Sequence, residues 1–177
     1  MKGEESVDTE QDKAVSELLG KQDHKKIALW AADCAEHVLH YFEEKHPGDE
    51  RPRRAVEAGR AWARGEISVS EARAAALKAH AAARDANRDA NREANRGATR
   101  NANPHASRAQ TAACAAARAA GHAAATAHVA SHAVHAGTYA AKAAAYDAAD
   151  PAGASASVAK ERDWQLRRLR ALLPVFQ

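Results

Sequence analysis

The chain has 177 residues, a net charge of +3 and an apolar fraction of 46% that is mostly alanine. That length suits one domain with its own core. Only 5% of the residues are aromatic, so helices would have to pack closely on small side chains. Because alanine is the best helix former, the composition predicts an all-α protein, a single Ala-rich bundle of about five to six helices with an Arg/Asn-rich extension.

Lysine and arginine are interspersed with acidic residues, and the absence of a long basic run disfavours nucleic acid as a partner. Cys34 and Cys114 lie in Ala-rich segments and are too few for a disulfide scaffold, which is typical of a reducing cytoplasm. The N-terminal residues contain no apolar signal segment. Outside the Ala-rich, His-interrupted stretch, no run of about 20 apolar residues predicts a membrane span. We therefore expect a cytoplasmic protein without membrane contact.

The first quarter of the chain contains clear helix signals. We expect residues 1–24 to form a flexible N-terminal lead with a short helix around Ala14–Leu19, and residues 25–177 to form the helical bundle. Lys25–Lys45 is the first strong helix of that bundle, and the turn residues His46–Asp49 end it.

Capping residues delimit the next two helices. Pro52 occupies a first turn, where its missing N–H costs nothing. Gly65 favours the left-handed conformation that follows a helix C-terminus. Ser68 and Glu71 have the spacing of a capping box, in which each side chain accepts from the other's backbone N–H. They predict a third helix that continues to about Arg84.

Residues 84–104 contain a near-repeat of four residues, rich in arginine and asparagine. Acidic residues three positions before arginines allow ion pairs along a helix. The three pairs would be Asp85–Arg88, Asp89–Arg92 and Glu93–Arg96. Because no apolar stripe exists to dock the segment, we predict an exposed, low-complexity helical extension that frays toward Gly97 and breaks by Pro104. An expansion without a role is the favoured interpretation, and a recognition surface is the alternative.

Two more helices are predicted in the C-terminal half. A long Ala-rich helix covers about Ser107–Asp147, and the loop AGASAS follows Asp150-Pro151. The final helix, Val158–Leu173, carries apolar side chains surrounded by arginines. Such a basic amphipathic helix can bind a membrane surface or a partner groove, but docking onto the core is the favoured interpretation for a terminal helix of a bundle.

Five side chains of the first predicted helix share one stripe at helical spacing: Trp30, Asp33, Cys34, His37 and Tyr41. A core-facing stripe is normally apolar, so this one predicts either a buried polar network or a site. Asp33 would need a partner for its charge. Arg60 on the next helix could supply it, and a Glu57–Arg60 pair is the alternative. Cys34 beside His37 could form a nucleophile pair, but a buried thiol is more often a small hydrophobe.

Histidines form a second pattern. On one continuous helix His128, His132, His135 and Tyr139 would share a face, and histidines four residues apart can bind one metal ion. The glutamate that accompanies such a pair in metalloproteases is missing. A zinc site on His128, His132 and His135 is therefore the less favoured interpretation. It would need further ligands from Asp33, Cys34, His37 or His80.

His80 and His122 lie in Ala-rich helical stretches, and Gly121 would let another element approach His122 closely. Interhelical hydrogen bonds are the favoured role for both histidines. The alternative is that they form walls of a polar pocket between helices.

Blocks distributed over most of the chain resemble the Imm-5-like family of immunity proteins. They are Ala28–Leu39, Arg51–Ala76, Ala79-His80, Ala117–Ala133, Tyr139–Ala144 and Glu161–Leu169. The resemblance implies a small, cytoplasmic, helical bacterial protein, named for toxin–immunity systems. It also implies a shared feature lined by Trp30, Asp33, Cys34, His37, Arg60, Trp62, His80, His122, His128 and His132.

Two functions follow from these observations. The leading hypothesis is a non-enzymatic immunity-type protein that neutralises a protein toxin through shape and charge complementarity, with no cofactor. The alternative is a helical bundle, with or without enzymatic activity, that binds a small molecule or metal in a pocket lined by Asp, Cys and His. Convergence of both polar stripes on one enclosed cavity would favour the alternative. The sequence does not indicate an oligomeric state.

Overall fold

Seven helices occur among the residues that the computed structural model describes, which are 13–97 and 104–172. They are α1 (His24–His37), α2 (His40–Lys45), α3 (Arg51–Arg64), α4 (Val69–Gly97), α5 (Pro104–Ala125), α6 (His132–Asp147) and α7 (Pro151–Ala171). Residues 13–19 are also helical. The all-α prediction is confirmed, but five to six helices is too low a number because two of the predicted helices are each divided.

The predicted helix Lys25–Lys45 is divided at Val38 and Leu39. Neighbouring residues of a straight helix point about 100° apart, so two large consecutive side chains do not both face the core easily. The break lets Val38, Leu39 and Phe42 all become buried. It also places Tyr41 on α2, outside the continuous stripe that the sequence predicted.

The predicted helix caps are confirmed. Gly65 ends α3 in the left-handed conformation with a φ of 80°. The Ser68 backbone N–H donates to Glu71 at 2.8 Å, and the Glu71 backbone N–H donates to the Ser68 hydroxyl at 3.2 Å. These short-range signals fix where α3 ends and α4 begins.

Helix α4 carries the Arg/Asn repeat as far as Gly97, and part of it is docked against α5. Ala86 and Ala90 are buried, and the Gln110 side-chain amide donates to the Ala86 carbonyl at 3.3 Å. The prediction that residues 84–104 form an exposed extension is therefore wrong for residues up to Ala90. Every fourth position of the repeat is alanine, and this narrow stripe is enough to dock a helix on another alanine face.

The predicted ion pairs form between Asp85 and Arg88 and between Asp89 and Arg92, the latter at 3.3 Å. The side chains of Glu93 and Arg96 lie outside the described residues, as does the predicted break at 98–103.

The predicted helix Ser107–Asp147 is two helices, α5 and α6, which fold back on each other around residues 126–131. At the turn Thr126 is fully buried. Its hydroxyl donates to the His122 carbonyl at 3.0 Å, and its own carbonyl lies 2.5 Å from His24 Nε2. The hairpin buries alanines of both helices, such as Ala120 and Ala136. A straight helix could not enclose them against each other, so burial outweighs alanine's preference to continue the helix.

Helix α7 begins at Pro151, about two turns earlier than predicted, so AGASAS is helical instead of a loop. Asp150 caps it by accepting from the Gly153 N–H at 2.8 Å. Leu169 docks in the core as expected. Arg162, which the sequence grouped with the surface arginines, is also buried, and Leu173 lies outside the described residues.

The core consists of alanines around a few large side chains, of which Trp30 is the largest. Glycine lets helices approach: a Cβ on Gly137 would lie 3.0 Å from the Trp30 ring. Val15 and Leu19 are buried in the same core. The flexible lead predicted for residues 1–24 therefore does not extend over the helical segment 13–19, and residues 1–12 lie outside the described part. Among the described helices, none has the length and apolarity needed to cross a bilayer.

Candidate functional site

Most of the predicted site residues fall into two groups. One, which we call the α1–α7 cluster, consists of the predicted Asp33, Cys34 and His37 together with Glu161 and Arg168 of α7. The other, the histidine cluster, consists of His80, His122, His132, His135 and Tyr139 at the contact of α4, α5 and α6. We describe them in turn.

Asp33 joins three helices in the α1–α7 cluster. Its Oδ1 accepts from Arg60 of α3 at 2.7 Å, and its Oδ2 accepts from Arg168 of α7 at 2.7 Å. The predicted Asp33–Arg60 pair is confirmed. Arg168 was missed because nothing in the spacing of the terminal-helix arginines distinguishes the one that reaches Asp33 from the others. Arg60 also donates to Glu36 at 2.5 Å, and this hydrogen bond is the main reason that the pKa of Glu36 is lowered.

Cys34 is fully buried next to these charges. Burial raises the pKa of its thiol well above the ordinary value, and the negative charges of Glu161 and Asp33 raise it further. A thiol in this setting stays protonated at neutral pH, and the thiolate is the nucleophilic form. The environment of Cys34 therefore opposes a role as a nucleophile, and it favours the packing role that the sequence analysis preferred.

His37 faces α7 instead of Cys34. Its Nδ1 lies 2.7 Å from Oε2 of the buried Glu161, and its ring stacks on Trp164 with a centroid distance of 3.8 Å. In the tautomer that donates from Nδ1, the carboxylate fixes the ring and leaves Nε2 as an acceptor. A groove of about 320 Å³ lies beside this ring, between α1, α2 and α7, and its lining includes His37, Tyr41 and Trp164.

Gln165 connects the cluster to Trp30. The Trp30 indole N–H donates to the Gln165 carbonyl at 3.0 Å, and the Gln165 side-chain amide donates to Glu161 at 2.8 Å and to the Gly137 carbonyl at 3.0 Å. Sequence reasoning missed Gln165 and Glu161. A weak signal was present, since both lie four residues apart on one face of a helix predicted to dock.

His122 lies at the centre of the histidine cluster. Its ring centroid is 4.9 Å from that of His80, 5.2 Å from those of His132 and His135, and 5.3 Å from that of Tyr139. Its Nδ1 lies 3.1 Å from His132 Nδ1. Burial, followed by the charges that neighbouring imidazoles would carry, lowers the pKa of His122 to about 3. His122 is thus a neutral ring at neutral pH, packed among the other members of the cluster.

Gly121 explains how His80 reaches this cluster. A Cβ at position 121 would lie 2.7 Å from the His80 ring, closer than carbon atoms can approach. The close approach that the sequence predicted at Gly121 is therefore present, and the group that approaches is an imidazole of α4.

Two segments of the chain, residues 17–102 and 88–172, match the family described as "Imm-5 like putative immunity protein". The chain belongs to this Imm-5-like family. The resemblance noted in the sequence is thereby confirmed over nearly all of the described residues. No curated protein matches the chain, and no solved structure does.

Two of the predicted site residues of this Imm-5-like protein, His128 and Trp62, lie outside both clusters. His128 is exposed in the turn before α6, so the helical face that placed it with His132 and Tyr139 does not exist. Trp62 contacts His24 edge to face at 4.8 Å. His135 belongs to the histidine cluster but is exposed, and its ring is tilted against that of His122 with the centroids 5.2 Å apart.

Within residues 13–97 and 104–172 of the Imm-5-like protein, no three His, Cys, Asp or Glu side chains are arranged to hold a metal ion. His128, His132 and His135 were predicted to share one helical face. The division of that helix separates His128 from the other two. The only support for zinc binding by these three histidines is therefore their spacing in the sequence.

Proposed function

We propose that this Imm-5-like protein neutralises a toxin by binding it directly, without catalysis. The observation that carries the proposal is the family match, which extends over residues 17–172. A toxin is then a protein partner, and the surface of the bundle has to recognise it.

The state of the chemically active side chains supports a non-catalytic role. Asp33 is held between two arginines, Cys34 is enclosed and protonated, and His37 is bonded to Glu161. Each is engaged by a neighbouring helix, and together they fasten α1 to α3 and α7. These contacts are what a rigid scaffold needs, and rigidity lowers the entropic cost of binding a partner.

A groove between α3 and α4 is the surface that best fits a protein partner. It has a volume of about 690 Å³ and an apolar floor of Ala74 and Ala75, with charged residues of both signs at its edge. Leu77, on the same helix, is 68% exposed. An apolar centre within a charged rim is the usual anatomy of a protein interface, and the mixed charges supply the complementarity that selects one partner.

Co-expression in a bacterial host tests the proposal. Toxin-like proteins encoded next to this gene are expressed with and without the protein, and growth is measured. We expect rescue from one of them and a stable complex on gel filtration. Leu77→Asp should weaken the rescue because it places a charge on the exposed apolar surface of the helix that lines the groove, whereas Val129→Asp, in the exposed α5–α6 turn, should leave it intact. Absence of rescue from every neighbouring toxin counts against the proposal.

The α1–α7 groove favours a second candidate function, the binding of a small molecule. Its volume of about 320 Å³ lies in the range of ligand sites, and the oriented His37 faces it together with Tyr41 and Trp164. Tryptophan fluorescence during a screen of metabolites tests this function. A hit whose quenching disappears in Trp164→Phe but persists in Trp62→Phe would support it, and equal quenching in both variants would contradict it.

A further inference from the structure

A small pocket between α4, α5 and α6 contains two cations that pair with no described carboxylate. Its volume is about 200 Å³, and Arg118 and Lys142 both line it. Among the described residues, neither makes an ion pair. Arg118 donates to the Tyr139 hydroxyl at 3.2 Å, and the Lys142 ammonium lies 5.1 Å from the Tyr139 ring centre.

Arg118 differs in this respect from nine described arginines that pair with a carboxylate: Arg51, Arg53, Arg54, Arg60, Arg64, Arg88, Arg92, Arg167 and Arg168. The half-buried guanidinium of Arg118 instead has a phenol beside it, and the buried thiol of Cys114 lines the same pocket. Burial raises the pKa of the Cys114 thiol, so this neighbour carries no charge at neutral pH.

The remaining lining adds polar groups and no acid. It includes Asn87, Thr111 and Tyr146, but no Asp or Glu. Tyr139 accepts a hydrogen bond from Arg118, so its own hydroxyl proton is left to donate. A guanidinium has five N–H donors, and those of Arg118 are engaged only in part, by the Tyr139 hydroxyl and the Cys114 sulfur. Cations and neutral donors therefore converge on one space.

We propose that this pocket binds the phosphate group of a small molecule. A doubly charged phosphate matches the two positive charges, and charge-assisted hydrogen bonds from a guanidinium and an ammonium are the strong ones. At about 30 Å³ per water molecule, the pocket has room for a phosphate group with a little solvent, and the rest of a phosphorylated molecule extends through its mouth. Asn87 belongs to the Arg/Asn repeat. The sequence left open a recognition role for this repeat, and in our proposal the repeat contributes to recognition through Asn87.

This inference is independent of toxin binding, because the test uses the protein alone. Inorganic phosphate is titrated calorimetrically at pH 8, where the neighbouring imidazoles are neutral, and chloride keeps the ionic strength constant. We expect saturable binding at one site. Lys142→Gln changes only an exposed side chain and should weaken phosphate binding about tenfold. Arg118→Gln should weaken it at least as much, and circular dichroism confirms that this variant is folded.

Arg167→Gln is the matched control, since Arg167 is an exposed arginine that pairs with Asp163 on α7. Phosphate should bind this variant as it binds the unchanged protein. Absence of saturable binding, or equal weakening by Arg167→Gln and Lys142→Gln, would overturn the proposal. Acetate that binds as tightly as phosphate would assign the pocket to carboxylates and would equally overturn it.

Discussion

Removing the Asp33 carboxylate should be the most damaging single change of charge in this bundle. Its side chain is only 12% exposed and accepts one hydrogen bond from Arg60 and one from Arg168, each at 2.7 Å. In Asp33→Asn both guanidinium groups lose their anion while they stay close to each other. Breaking a buried pair costs about 3–5 kcal/mol. Since the two arginines are 26% and 43% exposed, water compensates for part of this, and we expect a loss of about 2–3 kcal/mol.

Urea denaturation at pH 7 measures this loss, and Asp163→Asn provides the matched control. Asp163 is paired with Arg167 one helical turn away, but both side chains are exposed, so this change should cost less than about 1 kcal/mol. A loss below about 1 kcal/mol for Asp33→Asn, or equal losses in the two variants, would refute the view that Asp33 fastens α1 to α3 and α7.

Three further predictions concern packing, pH and thiol reactivity. Gly137→Ala should lower the free energy of unfolding by about 1 kcal/mol, because overpacking against Trp30 outweighs the helix propensity gained; Gly153→Ala, where the nearest atom lies at 3.5 Å, should not. The pKa of His122 falls to about 3 in the folded protein, whereas an unfolded chain protonates this histidine below about pH 6.5. Protonation of His122 therefore favours the unfolded chain as the pH falls. Stability should therefore drop by about 1 kcal/mol between pH 7 and 5, after allowance for partial exposure, and His122→Asn should reduce the drop; equal urea midpoints at both pH values would contradict this. Iodoacetamide at pH 8 should leave Cys34 unmodified in the native protein and alkylate it in urea, as mass spectrometry can check.

Local sequence signals predicted the elements that depend on neighbouring residues. The Ser68–Glu71 capping box and the left-handed Gly65 both follow from contacts within four positions, and both are present. The Asp33–Arg60 pair could also be predicted, because a single carboxylate on a core-facing stripe requires a cation and the next helix offers one on the expected face.

Contacts between distant helices were harder to predict, because alanine faces look alike. Between Ala125 and His132 the only residues other than alanine are Thr126, His128, Val129 and Ser131, and none of them is a glycine or proline that would mark a turn, so the α5–α6 hairpin was missed and His128 was misplaced. For the same reason the alanines of the Arg/Asn repeat were not identified as a docking face. Glu161 and Arg168 could be assigned to the α1–α7 cluster only once the rotation of α7 was known.

The alanine lining of this bundle has a consequence for how its relatives can diverge. Alanine has no side-chain rotamers to reorganise. The backbones therefore form much of the contact surface, and this fixes each helix in its rotation about its own axis and in its position along that axis. A larger residue at such a position would collide with main-chain atoms, with little room for local repacking. New binding preferences would therefore arise by exchanging outward-pointing side chains while the helix packing stays unchanged.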